Sequence, residues 1–182
     1  LAPEFMDNGN TVYEYFCGFE QFFELSQQEL KDFAYELDLK TDFFYSDQKI
    51  STLSGGEKTK LQILGILINK PSLLLLDEPS NDIDIDTLVW LENFINNCNL
   101  PVIFISHDEV LIENTANVII HLEQLRHKML PRHTVARMPY CQYREERLAA
   151  PLQDADDLDV VVAGQVPGQV QHRADRPARA VR

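Results

Sequence analysis

The sequence predicts an α/β fold in which parallel strands alternate with helices, preceded by a small helical subdomain. Three short apolar segments, at residues 72–76, 101–106 and 117–122, are typical of buried strands. Helical patterns at residues 85–95 and 109–114 separate them. This succession of strands and helices favours right-handed parallel crossovers. The 182 residues suit one such domain followed by a tail.

Residues 7–52 are expected to form the helical subdomain. Aromatic and aliphatic residues recur at helical spacing along residues 11–23, which predicts a helix with one buried side. Ser26 and Glu29 stand in the Ser-x-x-Glu relation of a capping box, so a second helix should begin there and run to about Leu37. We interpret residues 1–6, before this subdomain, as a cloning-derived leader.

Residues 53–125 open with a helix start that suits an anion. Ser54 and Glu57 form another capping box, and Gly55 and Gly56 between them leave the backbone N–H groups unobstructed. A helix N-terminus has unpaired donors and a positive dipole end, both of which favour a phosphate. The helix should end near Asn69, before a proline.

The first predicted strand ends in two adjacent carboxylates, Asp77 and Glu78. His107 follows the second strand, and the carboxyl ends of parallel strands meet at one edge of a sheet, where α/β folds bind ligands. One carboxylate there can hold Mg²⁺ through water, and the other can orient or deprotonate an attacking water. The alternative is a pair of solvated acids that cap a turn. The nearby helix start and His107 favour phosphoryl-transfer chemistry.

Charge is distributed unevenly along the chain. Residues 1–125 contain six Lys and 22 Asp or Glu, a net charge of −16, whereas residues 126–182 carry +3. The acidic part argues against a general nucleic-acid-binding surface. The three cysteines have no metal-ligand spacing and indicate reduced thiols. The apolar runs are too short to span a bilayer.

The remainder of the chain differs in composition from the part before it. Residues 126–148 are basic, and residues 149–182 are rich in Ala, Val, Pro, Gln, Asp and Arg without caps or a clear period. We expect residues 149–182 to be a disordered or non-native tail, because they offer too few large apolar side chains for a core.

Four motifs together resemble the ATP-binding-cassette (ABC) ATPases. Leu53-Ser54-Gly55-Gly56-Glu57 is similar to their signature motif, residues 73–79 to their Walker B with its glutamate, residues 80–84 to their D-loop, and residues 105–108 to their switch histidine. The Ser-Gly-Gly-Glu-Lys-Thr-Lys sequence, the D-loop and the basic residues 126–148 most resemble the ABC-F class. Its members are soluble proteins with two cassettes in one chain that act on the ribosome in translation or antibiotic resistance. Residues 126–148 resemble the start of their interdomain linker.

The resemblance implies roles for particular residues. Asp77 would bind Mg²⁺, Glu78 would be the general base, and His107 would sense the γ-phosphate of ATP. Contacts to an ATP held by a second, opposing cassette would come from Ser54, Gly55, Gly56 and Glu57, and the cofactor-binding set also includes Asp84. The resemblance further implies a cytoplasmic protein with the ribosome as partner.

The sequence also departs from the family pattern. Asp82 stands where these D-loops usually have His, and Glu109 stands where Arg often follows the switch motif. No Gly-x-x-x-x-Gly-Lys-Ser/Thr segment occurs, so the chain lacks the P-loop that cradles the phosphates. We therefore read it as the C-terminal portion of one cassette, whose parent would hydrolyse ATP.

Two alternatives remain open from the residues. The cassette can be the nucleotide-binding subunit of a membrane transporter, although the basic residues 126–148 favour the ribosome. The chain can also be a catalytically inert fragment that serves as an interaction module.

Overall fold

The computed structural model describes residues 9–123, 132–149 and 160–165 of the chain. It is an α/β protein with one five-stranded sheet, helices packed on it and a helical subdomain at the N-terminal side. The helices are α1 Val12–Cys17, α2 Gln27–Glu36, α3 Gly55–Leu67, α4 Ile85–Asn97, α5 Glu109–Thr115 and α6 Tyr140–Ala149. The strands are β1 Leu74–Asp77, β2 Val102–Ile105, β3 Val118–Glu123, β4 Arg132–Ala136 and β5 Val160–Gln165.

The helical subdomain consists of α1, α2 and three short 3₁₀ helices, Glu20–Glu24, Thr41–Tyr45 and Ile50–Thr52. Its core is aromatic, with Phe16, Phe22 and Phe44 buried and their ring centroids 5.3–6.5 Å apart. The capping box of Ser26 and Glu29 is confirmed at the start of α2.

The single helix predicted over residues 11–23 is divided into two. α1 ends at Cys17, Gly18 is its C-cap, and the 3₁₀ helix follows after Phe19. Glycine weakens a helix because it exposes the backbone and adds no side-chain contacts, so the chain turns at this position. The apolar side chains still point into the shared core, as their spacing predicted.

The strand order of the sheet is β1-β2-β5-β3-β4. β1 and β2 are parallel, with Leu74 opposite Val102 and Asp77 opposite Ile105. β5 is antiparallel to both β2 and β3. β1, β2 and β3 therefore run in the same direction, as the predicted crossovers require.

One face of the sheet is covered and the other is partly open. Leu74, Phe104 and Ile119 are buried in a core that includes Leu64 of α3 and Leu91 of α4. Right-handed crossovers that advance across a sheet in one direction place their helices on the same face. On the opposite face of the sheet the exposed large apolar strand residues are Leu75, at 67%, with Leu122 and Val135.

The exposure of Leu75 corrects the prediction of a fully buried first strand. β1 is the end strand of the sheet, and among the described residues only its covered face has helices against it. The helical pattern at residues 85–95 leads us to expect Ile85 on the inward side of α4, but this residue is 73% exposed in the first turn. Leu91 and Ile95 of the same helix are buried.

The C-terminal part contributes elements that the sequence did not predict. α6 packs near α5, where Arg144 forms an ion pair of 2.8 Å with Glu109, and the Tyr143 hydroxyl is hydrogen-bonded to Nδ1 of the buried His121. β5 is a regular strand inside the region expected to be a disordered or non-native tail. Residues 150–159 and 166–182 of that tail and residues 126–131 of the basic segment lie outside the described residues. The leader, residues 1–6, lies outside them too, as do residues 7, 8, 124 and 125.

Candidate functional site

The start of α3 has the predicted capping box. The Ser54 hydroxyl accepts from the Glu57 N–H at 3.2 Å, and the Glu57 carboxylate accepts from the Ser54 N–H at 2.9 Å. The same carboxylate also accepts from the Ser54 hydroxyl at 2.9 Å. Glu57 is thus turned back onto its own helix end, while the first N–H groups of the helix have no partner within the helix itself.

Gly55 and Gly56 have a packing role that the sequence did not reveal. A Cβ added to Gly55 would overlap the backbone carbonyl oxygen of Asp82, and one added to Gly56 would overlap the side chain of Thr87. Both contacts lie within the chain: Gly55 meets the segment that leads into α4, and Gly56 meets the first turn of α4 itself. The glycines therefore allow two polypeptide segments to touch, in addition to leaving the N–H groups accessible.

Residues 80–84 connect β1 to α4 and lie against the start of α3. Asp82 has a φ of 59°, in the left-handed region. The Asp84 carboxylate accepts from the Thr87 N–H at 2.8 Å and so caps α4. This hydrogen bond is the main reason that the pKa of Asp84 lies below its usual value.

Asp77 and Glu78 end β1 at the predicted edge of the sheet. Asp77 is exposed and pairs in register with Ile105. Glu78 has a φ of 45°, and its N–H donates to the Ile105 carbonyl oxygen at 2.9 Å. This turn extends the pairing with β2 and orients the Glu78 side chain, which is 23% exposed, toward the residues that follow β2.

His107 lies beside Glu78, as the strand order predicted. Its Nε2 is 3.3 Å from Oε1 of Glu78, and its backbone N–H donates to Oε2 of Glu78 at 3.4 Å. The imidazole is 84% exposed and therefore accessible to a bound molecule. The structure thus brings a carboxylate and an imidazole together next to the exposed Asp77.

A pair of serine hydroxyls links this edge to the segment of residues 80–84. Ser80 Oγ and Ser106 Oγ are hydrogen-bonded at 3.0 Å, and Ser106 Oγ also accepts from the Asp108 N–H at 3.0 Å. Asp108 in turn caps α5. The sequence offered little signal for these contacts, because the two serines are 26 positions apart and each resembles an ordinary turn residue.

The residues present fit a magnesium ion only in part. Within the ranges that the structure describes, no group of three or more His, Cys, Asp or Glu side chains is arranged to hold a metal. Mg²⁺ commonly takes one or two protein carboxylates and completes its shell with water and phosphate oxygens. Asp77 can serve as such a single carboxylate, and the remaining ligands would come with the nucleotide.

The geometry therefore consists of a phosphate-compatible helix start and a carboxylate–imidazole pair, joined through residues 80–84. Residues 4–81 match the family described as ABC transporter. Over this stretch the chain is similar to the ATP-binding-cassette family. The four motif positions that carried the resemblance occupy the helix start, the end of β1, the turn after it and the end of β2.

Two curated relatives indicate which class of ATP-binding-cassette protein the chain is similar to. The chain is 34% identical over 112 residues to the putative ATP-binding protein YdiF of Bacillus subtilis, covering 56% of this chain and 17% of that protein. It is 40% identical over 78 residues to the energy-dependent translational throttle protein EttA of Escherichia coli, covering 43% of this chain and 14% of that protein. Both relatives are ABC-F proteins. The chain spans 17% or less of the length of each of these two relatives.

A solved structure supports the fold. The structure of an RNase-L Inhibitor superposes with a TM-score of 0.56 at 20% sequence identity, over 91% of this chain and 32% of that one. In the described ranges 9–123 and 132–149, none of the helices combines the length and the apolar character needed to cross a membrane.

Proposed function

We propose that this chain is the signature-bearing portion of an ABC-F ATPase that acts on the ribosome. The observation that carries the proposal is the contact of Glu78 with His107 at the ends of two parallel strands, next to Asp77. ATP hydrolysis needs an oriented water and compensation for charge on the phosphates. A carboxylate and an accessible imidazole 3.3 Å apart meet the first requirement.

The proposed roles follow from position. Glu78 orients and deprotonates the attacking water, and His107 both donates to a phosphate oxygen and holds the Glu78 carboxylate in place. Asp77 binds Mg²⁺, which supplies charge neutralisation at the phosphates. Ser54, Gly55 and Gly56 present the start of α3 to the phosphate of an ATP bound by a second cassette.

Two residues of the proposed nucleotide-binding set already have partners in the chain. The Glu57 carboxylate caps α3, and the Asp84 carboxylate caps α4. We propose that both act by holding the backbone of the signature and of residues 80–84 in place. Their effect on nucleotide binding is then indirect, through the position of the N–H groups at the helix start.

ATP turnover requires a P-loop, which this sequence lacks. We therefore expect the isolated chain to show no turnover above background. When residues 9–123 replace the matching segment of the B. subtilis relative, the hybrid should hydrolyse ATP. The change Glu78→Gln should then lower kcat at least about a hundredfold, because the carboxylate can no longer accept the water's proton.

The matched control for that experiment is Glu20→Gln, which makes the same chemical change at an exposed position in the helical subdomain. Its kcat should equal that of the unmodified hybrid. Equal turnover in the Glu78→Gln and Glu20→Gln hybrids would contradict the assignment of Glu78. An inactive hybrid that retains native-like unfolding would favour the inert interaction module.

We propose the ribosome as a partner on two grounds. The relatives belong to the ABC-F class, and residues 126–148 form a basic segment. The name of the E. coli relative describes a throttle of translation, and we propose a cytoplasmic location for this chain. A longer hybrid that carries residues 9–148, and so includes the basic segment, should co-sediment with ribosomes when Glu78→Gln prevents hydrolysis and ATP is present. Sedimentation with membrane vesicles that contain a transporter, and not with ribosomes, would instead support the transporter subunit.

A further inference from the structure

β5 occupies an unusual place in the sheet. It lies between β2 and β3 and is antiparallel to both, although β2 and β3 run in the same direction. In sheets built from parallel crossovers, an antiparallel strand is commonly found at an edge. Here the antiparallel strand lies in the centre of the sheet. The connection from β2 to β3 leaves a space between these two strands, and β5 occupies that space.

β2 and β3, the two strands that border this space, are in the same register relative to β5. Val162 pairs with Ile105 on one side and with Ile120 on the other, and Ala163 pairs with both Phe104 and Ile119. Neither of the two is shifted along the strand direction relative to the other. Neighbouring strands are about 4.8 Å apart, so the space between β2 and β3 accepts one strand and no more.

The same space suits a parallel strand that leads into a phosphate-binding loop. A strand running with β2 would end at the edge where His107 and Glu78 meet, because the carboxyl ends of parallel strands lie together. A P-loop is a strand followed by a Gly-rich loop and a helix. Its loop would then emerge beside His107, and its helix would cover the face that exposes Leu75 and Leu122.

We propose that β5 is a replaceable strand, which holds the space between β2 and β3 until the strand of a P-loop segment displaces it. The proposal rests on the proposed ATPase function, since that function requires a P-loop from outside these residues. β5 keeps the backbone groups of β2 and β3 paired, and unpaired strand edges favour aggregation. For the same reason β5 competes with the segment that would complete the nucleotide site.

A reversible disulfide tests this competition without disturbing the fold. Ile105 and Val162 are directly opposite in an antiparallel pair, at a separation that a disulfide can bridge. The double variant Ile105→Cys/Val162→Cys would lock β5 in place when oxidised and release it when reduced. The matched control is Leu122→Cys/His133→Cys, which joins β3 to β4 and leaves the space between β2 and β3 untouched.

The probe is the strand–P-loop–helix segment of the B. subtilis relative, produced as a separate polypeptide, with binding measured by calorimetry. We expect the oxidised Ile105→Cys/Val162→Cys chain to bind it at least about tenfold more weakly than the reduced chain. The control pair should bind equally in both redox states. Equal affinity in both states of the first pair, or no binding to the reduced chain, would overturn the proposal.

A second variant and a second probe separate this result from the ATPase assignment. Ala163→Pro removes a backbone donor in the centre of β5 and should strengthen probe binding to the full chain, because a proline disrupts a central strand. A probe in which the P-loop Lys is changed to Ala should bind as well as the original. Strand displacement would then stand even if the hybrid ATPase proved inactive, and weaker binding to Ala163→Pro would contradict it.

Discussion

Gly56→Ala should destabilise the chain through one contact, that with Thr87. A Cβ at this position meets Oγ1, Cβ and Cγ2 of Thr87, and the two carbons are only 3.0 Å away. Overpacking of this kind costs about 1–3 kcal/mol, and the better helix propensity of Ala returns up to about 1 kcal/mol. We expect a net loss of about 1 kcal/mol, or about 2–4 °C in Tm for a chain of this size.

The test is a double-mutant cycle with Thr87→Ala, which removes Oγ1 and Cγ2 and leaves the Cβ. In that background the overlap is largely relieved, so Gly56→Ala should become neutral or slightly stabilising. Trp90, the only tryptophan, lies in α4 with Thr87 and reports urea unfolding by fluorescence. An equal cost of Gly56→Ala in both backgrounds would refute the reasoning, because independent sites give additive changes.

Three further substitutions test contacts elsewhere in the chain. Asp84→Asn keeps a capping side chain but removes a carboxyl whose pKa lies below its usual value. The stability that this carboxylate contributes is present above the usual pKa and is lost as the pH falls through the lowered one. The variant should therefore lose less stability than the parent between about pH 5 and pH 2 in acid titrations of urea midpoints. Burial raises the pKa of Tyr15 to about 12, so the folded state should lose stability as the pH rises from 10 toward 12, and Tyr15→Phe should flatten that decline in alkaline unfolding curves. Lys60 lies 4.8 Å from the Trp90 ring centroid, and Lys60→Met should cost about 1 kcal/mol in urea unfolding, whereas the exposed Lys31→Met should change little.

The parts of the fold that depend on local patterns could be predicted. Capping boxes need only two residues three positions apart, and those at Ser26 and Ser54 are both present. The apolar strands and the direction of β1, β2 and β3 followed from periodicity and from the handedness of crossovers. The meeting of Glu78 and His107 was likewise predictable, because parallel strands bring their carboxyl ends together.

The features that were missed depend on contacts distant in sequence. The overlap of Gly56 with Thr87 and the bond between Ser80 and Ser106 each join segments whose separation carries no periodic signal. The exposure of Leu75 depends on which elements cover each face of the sheet. A run of leucines is expected both for a strand that is covered on two faces and for one that is covered on a single face, so the sequence does not distinguish them. β5 was missed although it begins with the β-branched residues 160–162 and has Gly164 and Pro167 near its end, because the composition of the surrounding residues 149–182 indicated a tail without a core.

The left-handed backbone at Glu78 affects how substitutions there are to be interpreted. Any side chain other than glycine at a φ of 45° carries a conformational cost of about 1–2 kcal/mol, and that cost is the same for Glu and Gln. Glycine would relieve it, and a β-branched residue would increase it. A series of substitutions at this position therefore mixes backbone relief with loss of the carboxylate. Only the amide isostere changes the chemistry while leaving the conformational energy of the turn constant.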